Sequence, residues 1–290
     1  MDVDYKNVIV GNGSAELIYL ATRTFSPKIA LIPIPNFSEY ERTLLNVGAK
    51  IKFLNLNEDN HFCLNPKEVI RELEKVDLVF LSNPNNPTGS LVSRLELLKL
   101  IRFTKRKGIK IILDETFIDF REEESLVRDT AKLTNLFILR SFSKFFGFPG
   151  LRLGCGIGNK DLIKRLELER APWTVNALAQ LAGIEALRDR QYIIKTHKFI
   201  NKESQFLFKK LLEIEGIKPY PSSANFILIK ILKPISSIQL RDKLGKEGII
   251  IRDCHDFRGL DNRFIRVAVR TRKENLQLLD KLWRLLERLS

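Results

Sequence analysis

The first half of the chain repeats one pattern: a short apolar run, a turn, then a stretch with helical spacing. The apolar runs are KNVIV (6–10), IALIPI (29–34), AKIKFL (49–54), DLVFLSN (77–83), IKIILD (109–114) and LFILRS (136–141). They are nearly continuous in hydrophobicity rather than alternating, the mark of strands covered on both faces. Between them lie segments such as AELIYLATRTF (15–25) and SRLELLKLIRFTKRK (93–107), whose apolar residues recur at helical intervals. This alternation predicts an α/β fold: a large domain with a mainly parallel sheet and helices on both faces. Ligands of such sheets gather at the carboxyl ends of the strands, so the residues after each apolar run are the ones to inspect.

After Pro172 the texture changes. A long helical region (about 175–214) precedes the apolar runs ANFILIKI (224–231), GIIIRD (248–253) and FIRVAV (264–269), and a last helix closes the chain. The expectation is a large domain over 1–174 and a smaller α+β C-terminal domain over 175–290 that includes an interdomain helix. No repeat and no Gly/Ser linker separates them, which predicts a tight shared interface.

Composition narrows the classes. No run approaches the ~20 apolar residues of a membrane span, and the N-terminus lacks a basic patch followed by an apolar segment. The three cysteines, Cys63, Cys155 and Cys254, are far apart with no CxxC pair, which argues against a disulfide framework or zinc site and for a cytoplasmic setting. A net charge of +14 invites a nucleic-acid reading. However, the charges are spread along helices and no helix-turn-helix or RNA-binding signature accompanies them, so the expectation is a solvated basic surface with no nucleic-acid or membrane partner. GNGSAE places Glu16 where a dinucleotide fingerprint requires glycine. GCGIG (154–158) sits among strand residues with no GK[ST] and reads as tight packing. His61, His197 and His255 have no partner at metal-ligand spacing, so no metal is expected, and His255 reads as a structural or exposed residue.

Three strand ends carry chemistry. DLVFLSN leads into NPNNPTG (83–89), IKIILD ends in Asp114 followed by ETFIDF, and LFILRS runs into SFSKFFGFPGLRLG (141–154) with Lys144. Singly these read as a turn, a helix cap and a surface lysine. Together they place an amide-rich turn, a carboxylate and an amine on one edge of one sheet.

With SSANFILI (222–229), these segments resemble the pyridoxal-phosphate-dependent enzymes of the aspartate aminotransferase fold, over essentially the whole chain. The resemblance implies pyridoxal 5'-phosphate as cofactor, with Lys144 as the amine that holds its aldehyde and later moves protons, and Asp114 as the carboxylate that keeps the ring nitrogen protonated. It further implies Asn86 as donor to the ring oxygen, Phe37 as the aromatic cover of the ring, and Phe117 beside that oxygen. Gly13, Ser14, Ala15, Ser141 and Arg152 would hold the phosphate. Arg252 and Arg266 match the family's substrate arginines, with Asn86 also on the substrate side; which arginine takes which anionic group stays open.

Two branches of the family, both acting on phosphorylated amines, are the most similar: the L-threonine-O-3-phosphate decarboxylases of cobalamin synthesis and the histidinol-phosphate aminotransferases. Phe117 stands where the aminotransferases generally carry a tyrosine, and the wording of 249–271 and 171–183 is closer to the decarboxylases. The resemblance therefore implies a lyase acting on a phosphorylated amino acid, with the aminotransferase, or a cofactor-binding protein without turnover, as alternatives. It implies a homodimer as well. Relatives carry an N-terminal arm and a Tyr-containing stretch ahead of the strand that here begins near residue 8. The expectation is either a shortened member or coding sequence continuing upstream of Met1.

Overall fold

The computed structural model describes residues 3–288; the position of Met1 lies outside them. The first seven strands are β1 (Val8–Asn12), β2 (Ile29–Ile34), β3 (Lys50–Asn55), β4 (Leu78–Ser82), β5 (Lys110–Asp114), β6 (Leu136–Ser141) and β7 (Leu153–Ile157). They form one sheet in the order β1-β7-β6-β5-β4-β2-β3. β3, β2, β4, β5 and β6 are mutually parallel, whereas β7 runs antiparallel to both β6 and β1. Two reversals restore direction, so the carboxyl ends of β1, β2, β4, β5 and β6 share one edge, and β7 starts from that same edge.

Alternate residues of the central strands enter two separate cores. Val79, Leu81, Ile111 and Leu113 pack with Leu97, Leu100 and Ile101 of α4 (Arg94–Arg106) on one face. Leu78, Phe80 and Ile112 pack on the other, against Leu17 and Ile18 of α1 (Gly13–Phe25), Tyr40 and Leu44 of α2 (Ser38–Asn46) and Leu162 and Leu166 further along. Because both faces are covered, every position in these runs must be apolar, which is why the strands read as continuous rather than alternating. The layer is completed by α3 (Pro66–Arg71), the one-turn α5 (Phe142–Phe145) and α6 (Lys160–Glu169). Helix starts are chemically marked: Ser93 and Asn159 accept the amides of Glu96 and Leu162.

The second half contains α7 (Ala177–Arg188), α8 (Arg190–Leu212), β8 (Ile217–Pro219), β9 (Phe226–Ile231), α9 (Ser237–Lys246), β10 (Arg252–Asp253), β11 (Phe264–Ala268) and α10 (Arg272–Glu287). The strands form an antiparallel sheet in the order β10-β11-β9-β8. Its core joins Ile227, Ile229 and Ile265 to Leu207, Leu240, Leu244 and Leu282 of the helices. Two further clusters tie this sheet to the first half. One joins Leu56 and Phe62 to Tyr220, Phe257 and Phe264, and the other joins Phe117, Phe120 and Phe145 to Ala224 and Phe226. Glu58 reinforces the first, accepting from Tyr220 Oη at 2.7 Å and Lys230 Nζ at 2.8 Å.

Three details differ from the sequence reading. The 175–214 helical stretch is two helices parted at Asp189, whose carboxylate accepts the Tyr192 amide at 2.8 Å and caps α8. GIIIRD supplies only the short β10, because the Ile249 amide bonds back to Leu244 O at 2.9 Å and closes off α9. The first strand is displaced along the chain: residues 5–7 make a 3-10 turn, and pairing with β7 extends through Asn12. Among the described residues no helix is long and apolar enough to cross a membrane.

Candidate active site

A cleft of about 270 Å³ opens at the shared carboxyl edge, where the two sheets face one another. β1 delivers Ser14 and Ala15 to its wall, β2 delivers Phe37, and β4 and its loop deliver Ser82 and Asn86. β5 supplies Asp114 and Phe117, β6 supplies Ser141 and Lys144, and Arg152 stands immediately before β7. Arg252 and Arg266 close it from the second sheet, as facing residues on paired β10 and β11. All the sequence-predicted residues line this one cleft except Gly13, which lies beneath the Arg152 guanidinium with φ +78°, a backbone conformation that favours glycine.

Asp114 is buried at the end of β5. Tyr40 Oη donates to its Oδ2 at 2.6 Å, and the Thr116 amide donates to Oδ1 at 2.8 Å. Burial nevertheless raises its carboxyl above the usual range, against the lowering effect of those hydrogen bonds and of Lys144. Tyr40 is itself fully buried, stacked on Phe80 at 4.8 Å, and its phenol is pushed well up by burial and the Asp114 charge. Tyr40 escaped the sequence reading. Its signal was present in NFSEYER: it falls one helical turn after Phe37, so both rings face the same way, with centroids 5.7 Å apart.

The SFSKFFGF segment resolves the placement of an ammonium among phenylalanines. In the single turn of α5, Phe142 and Phe145 go inward and Lys144 turns out into the cleft. It lines the cleft, whose walls strip part of its hydration although the side chain is exposed. Desolvation, then the charges of Arg266 and Arg152, lower its pKa, while Asp114 opposes the shift. Ser141 caps the turn by accepting the Ser143 amide at 3.3 Å.

Behind the cleft, Arg140 anchors β6 to the segment after β5. Its guanidinium donates to Asp119 at 2.5 Å and Glu122 at 2.6 Å, and lies 3.4 Å from Glu115. Glu115 also accepts from Ser125 Oγ and the Leu126 amide, yet burial lifts its carboxyl to about 7. Asp114 and Lys144, the chemistry-bearing ends of neighbouring strands, are thus held by a buried ionic cluster as well as by the sheet.

The first turn of α1 presents amides without intrahelical partners, a local positive end suited to an anion. Arg152 adds a guanidinium held by the Pro149 carbonyl at 3.1 Å. GCGIG explains how these parts approach: a Cβ on Gly154 would sit 2.5 Å from Ser14 N and 2.8 Å from Gly13 C. β7 can lie against the start of α1 only because that side chain is missing. Gly154→Ala should therefore cost about 1–3 kcal/mol of overpacking, read from urea unfolding.

In the NPNNPTG loop the asparagines divide their tasks. Asn83 exchanges hydrogen bonds with Val92, and Asn85 donates to Pro35 O and Thr88 Oγ1, which fixes the loop. Asn86 alone reaches the cleft, accepting from Arg266 Nη1. Arg266 also lies over the Phe226 ring at 4.6 Å, and Phe226 packs edge-on to Phe117 at 5.0 Å. Phe117 is buried there and brings no donor. Ser82 at the end of β4, Ser143 in α5, and Thr116 and Phe257 in turns also line the cleft and were not anticipated; single small polar or aromatic residues give no distinguishing sequence signal. Among the described residues no three His, Cys, Asp or Glu side chains are grouped to hold a metal ion.

Among the described residues lining the cleft, Lys144, Arg152, Arg252 and Arg266 stand against Asp114 as the one lining carboxylate, with Asp256 pairing Arg252 from beside it, so the field remains positive. Comparison with known proteins agrees with this chemistry. The family model for aminotransferase class I and II matches residues 1–282. A protein of Caldanaerobacter subterraneus subsp. tengcongensis, provisionally named a threonine-phosphate decarboxylase, is 42% identical over 96% of this chain and 77% of its own. The crystal structure of the histidinol-phosphate aminotransferase from Clostridium acetobutylicum superposes with a TM-score of 0.91 at 33% identity, covering 98% of this chain and 84% of that one. The L-threonine-O-3-phosphate decarboxylase from Porphyromonas gingivalis superposes with a TM-score of 0.87 at 30% identity, covering 98% and 85%. With its mostly parallel large sheet, its small antiparallel sheet and this match over nearly its full length, the chain belongs to the class I and II aminotransferase family of pyridoxal-phosphate-dependent enzymes.

Proposed function

We propose that the protein decarboxylates L-threonine O-3-phosphate to (R)-1-amino-2-propanol O-2-phosphate, as in cobalamin biosynthesis, using pyridoxal 5'-phosphate. The observation that carries the reading is the charge of the cleft: three guanidinium groups and one ammonium line it with a single buried carboxylate, and only Arg252 is offset by a second one, Asp256, beside the cleft. That excess suits a cofactor phosphate together with a substrate that brings both a carboxylate and a phosphate.

The donor set fits the cofactor. Lys144 would hold its aldehyde, and Asp114, kept in place by Tyr40 and the Thr116 amide, would face the ring nitrogen. Ser14, Ala15, Ser141 and Arg152, with Gly13 making the turn at φ +78°, would hold the phosphate; Phe37 and Phe117 would flank the ring, with Asn86 at its oxygen. When bound, the cofactor supplies an electron sink for the pair released at the substrate α-carbon. Lys144, with its lowered pKa, takes and returns protons at Nζ. Arg266, half-buried and stacked on Phe226, and Arg252 orient the anionic groups. By fixing the substrate's carboxylate, Arg252 and Arg266 would select which bond at its α-carbon breaks, with loss of CO₂ or loss of a proton.

Two features favour decarboxylation: the 42% identity to the Caldanaerobacter protein, and the apolar Phe117 on the cleft wall, whose side chain brings no donor. The likeness to the Clostridium aminotransferase, with its TM-score of 0.91, supports a second reading, transamination of histidinol phosphate. The deciding assay incubates holoprotein with O-phospho-L-threonine, and separately with histidinol phosphate plus 2-oxoglutarate. Release of CO₂ without any keto acid supports the first reading; accumulation of glutamate replaces it with the second. We further propose division into a large domain over 1–174 and a small domain over 175–290, and a homodimeric assembly, testable by limited proteolysis and by sedimentation.

A further inference from the structure

The three guanidinium groups of the cleft are not equivalent. Arg152 donates to a backbone carbonyl and Arg266 to the neutral side chain of Asn86. Arg252 alone is met by a carboxylate of its own chain: its Nη2 lies 2.8 Å from Asp256 Oδ1 and 2.6 Å from Oδ2. The pair is placed by the turn after β10, where the Phe257 amide bonds Cys254 O at 3.1 Å. Arg252 lies over the Phe257 ring at 5.3 Å, and Phe257 lines the cleft. Asp256 also borders a neighbouring hollow shared with His255 and Arg258. There Arg258 is engaged by Glu41, and His255 by Asp253.

We propose that Asp256 is a built-in surrogate anion that sets the affinity of the cleft's outer anion subsite. The inference rests on the proposed substrate role of Arg252 and goes beyond it. Asp256 holds Nη2, the nitrogen shared by both two-pronged grips of a guanidinium, so an incoming anion pairs bidentately with Arg252 only by displacing Asp256, which can withdraw toward the hollow it already borders. The carboxylate offers one negative charge and two oxygens. A phosphate monoester brings up to two charges and three oxygens and makes the stronger pair. A free carboxylate is a like-for-like exchange. Every anion is weakened by the same factor, so at a given concentration singly charged carboxylates leave the site empty while phosphate monoesters still fill it. Arg252 and Asp256 are each about half exposed, with side-chain exposures of 46% and 50%. The factor is therefore modest, about three- to five-fold.

A plain structural role also exists, since Arg252 and Arg266 face one another across paired strands and Asp256 neutralises one of them. A double-mutant cycle separates the two roles. Inorganic phosphate is titrated calorimetrically into protein loaded with pyridoxal phosphate, so that the inner phosphate site is already filled. Asp256→Asn should tighten phosphate about three- to five-fold, Asp256→Glu should stay near wild type, and Asp256→Asn should have no effect once Arg252→Met is present. Unchanged or weaker binding in Asp256→Asn, or equal tightening in the Arg252→Met background, would overturn the proposal. Failure of all variants to release CO₂ would count against the proposed reaction, whereas the phosphate comparison still reads the Arg252–Asp256 contact.

Discussion

Lys144→Ala should lower turnover by up to about 10⁴-fold, the upper end of what a positioned proton-transfer group contributes. It should also leave no borohydride-stable attachment of the cofactor. The expectation follows from geometry: among the described residues Lys144 is the only amine lining the cleft, whose other cations are guanidinium groups. Guanidinium stays protonated at any working pH and can neither attach an aldehyde nor shuttle a proton. Lys144 is suited to both, because desolvation together with Arg266 and Arg152 increases its neutral fraction. The side chain projects into open space from a one-turn helix, so its removal should leave unfolding by urea nearly unchanged. Reduction with borohydride followed by peptide mass mapping gives the readout. A label elsewhere, or wild-type turnover in the variant, would remove Lys144 from the mechanism.

Asp114→Asn should cost about 3–5 kcal/mol of catalysis, the scale of breaking a buried charge pair, which is about two to four orders of magnitude in rate. Its effect on the cofactor-free protein should have the opposite sign. Burial raises the Asp114 carboxyl above its unfolded value, so between those two values the native state binds the extra proton. Stability of the cofactor-free protein therefore falls as pH rises through that window and stays lower above it. Asparagine carries no such charge, and it can still accept from the Thr116 amide and pair with Tyr40 Oη. At neutral pH the cofactor-free variant should thus unfold at equal or higher urea concentration than wild type, with a flatter pH dependence. Loss of both stability and activity would instead mark Asp114 as a structural cap. The variant also removes the one charge that raises the Lys144 pKa, so the free amine should titrate lower.

Much of this was legible in the chain. IALIPI and LFILRS became strands with the boundaries the sequence suggested, because a strand buried on both faces must be apolar at every position, and that constraint is written locally. The strand ends NPNNPTG, Asp114 and Lys144 were readable for the same reason: polar chemistry immediately after a buried strand has few places to go but the sheet edge. GIIIRD misled because an apolar run reports burial, not pairing; Ile251 is buried, but the amides before it serve the end of α9.

What the sequence determined alone is therefore the inventory: which segments are buried, which are helical, and which reactive side chains stand at strand ends. The tertiary structure decided their company. The antiparallel return of β7 brings Arg152 back to the edge where Gly13–Ala15 begin a helix. Strand pairing sets Arg252 opposite Arg266, and packing of the second sheet carries Arg266 onto Asn86, 180 residues away in the chain. Tyr40 meets Asp114 across 74 residues. Such contacts leave no trace in local periodicity, because they depend on how covered faces stack rather than on which faces are covered.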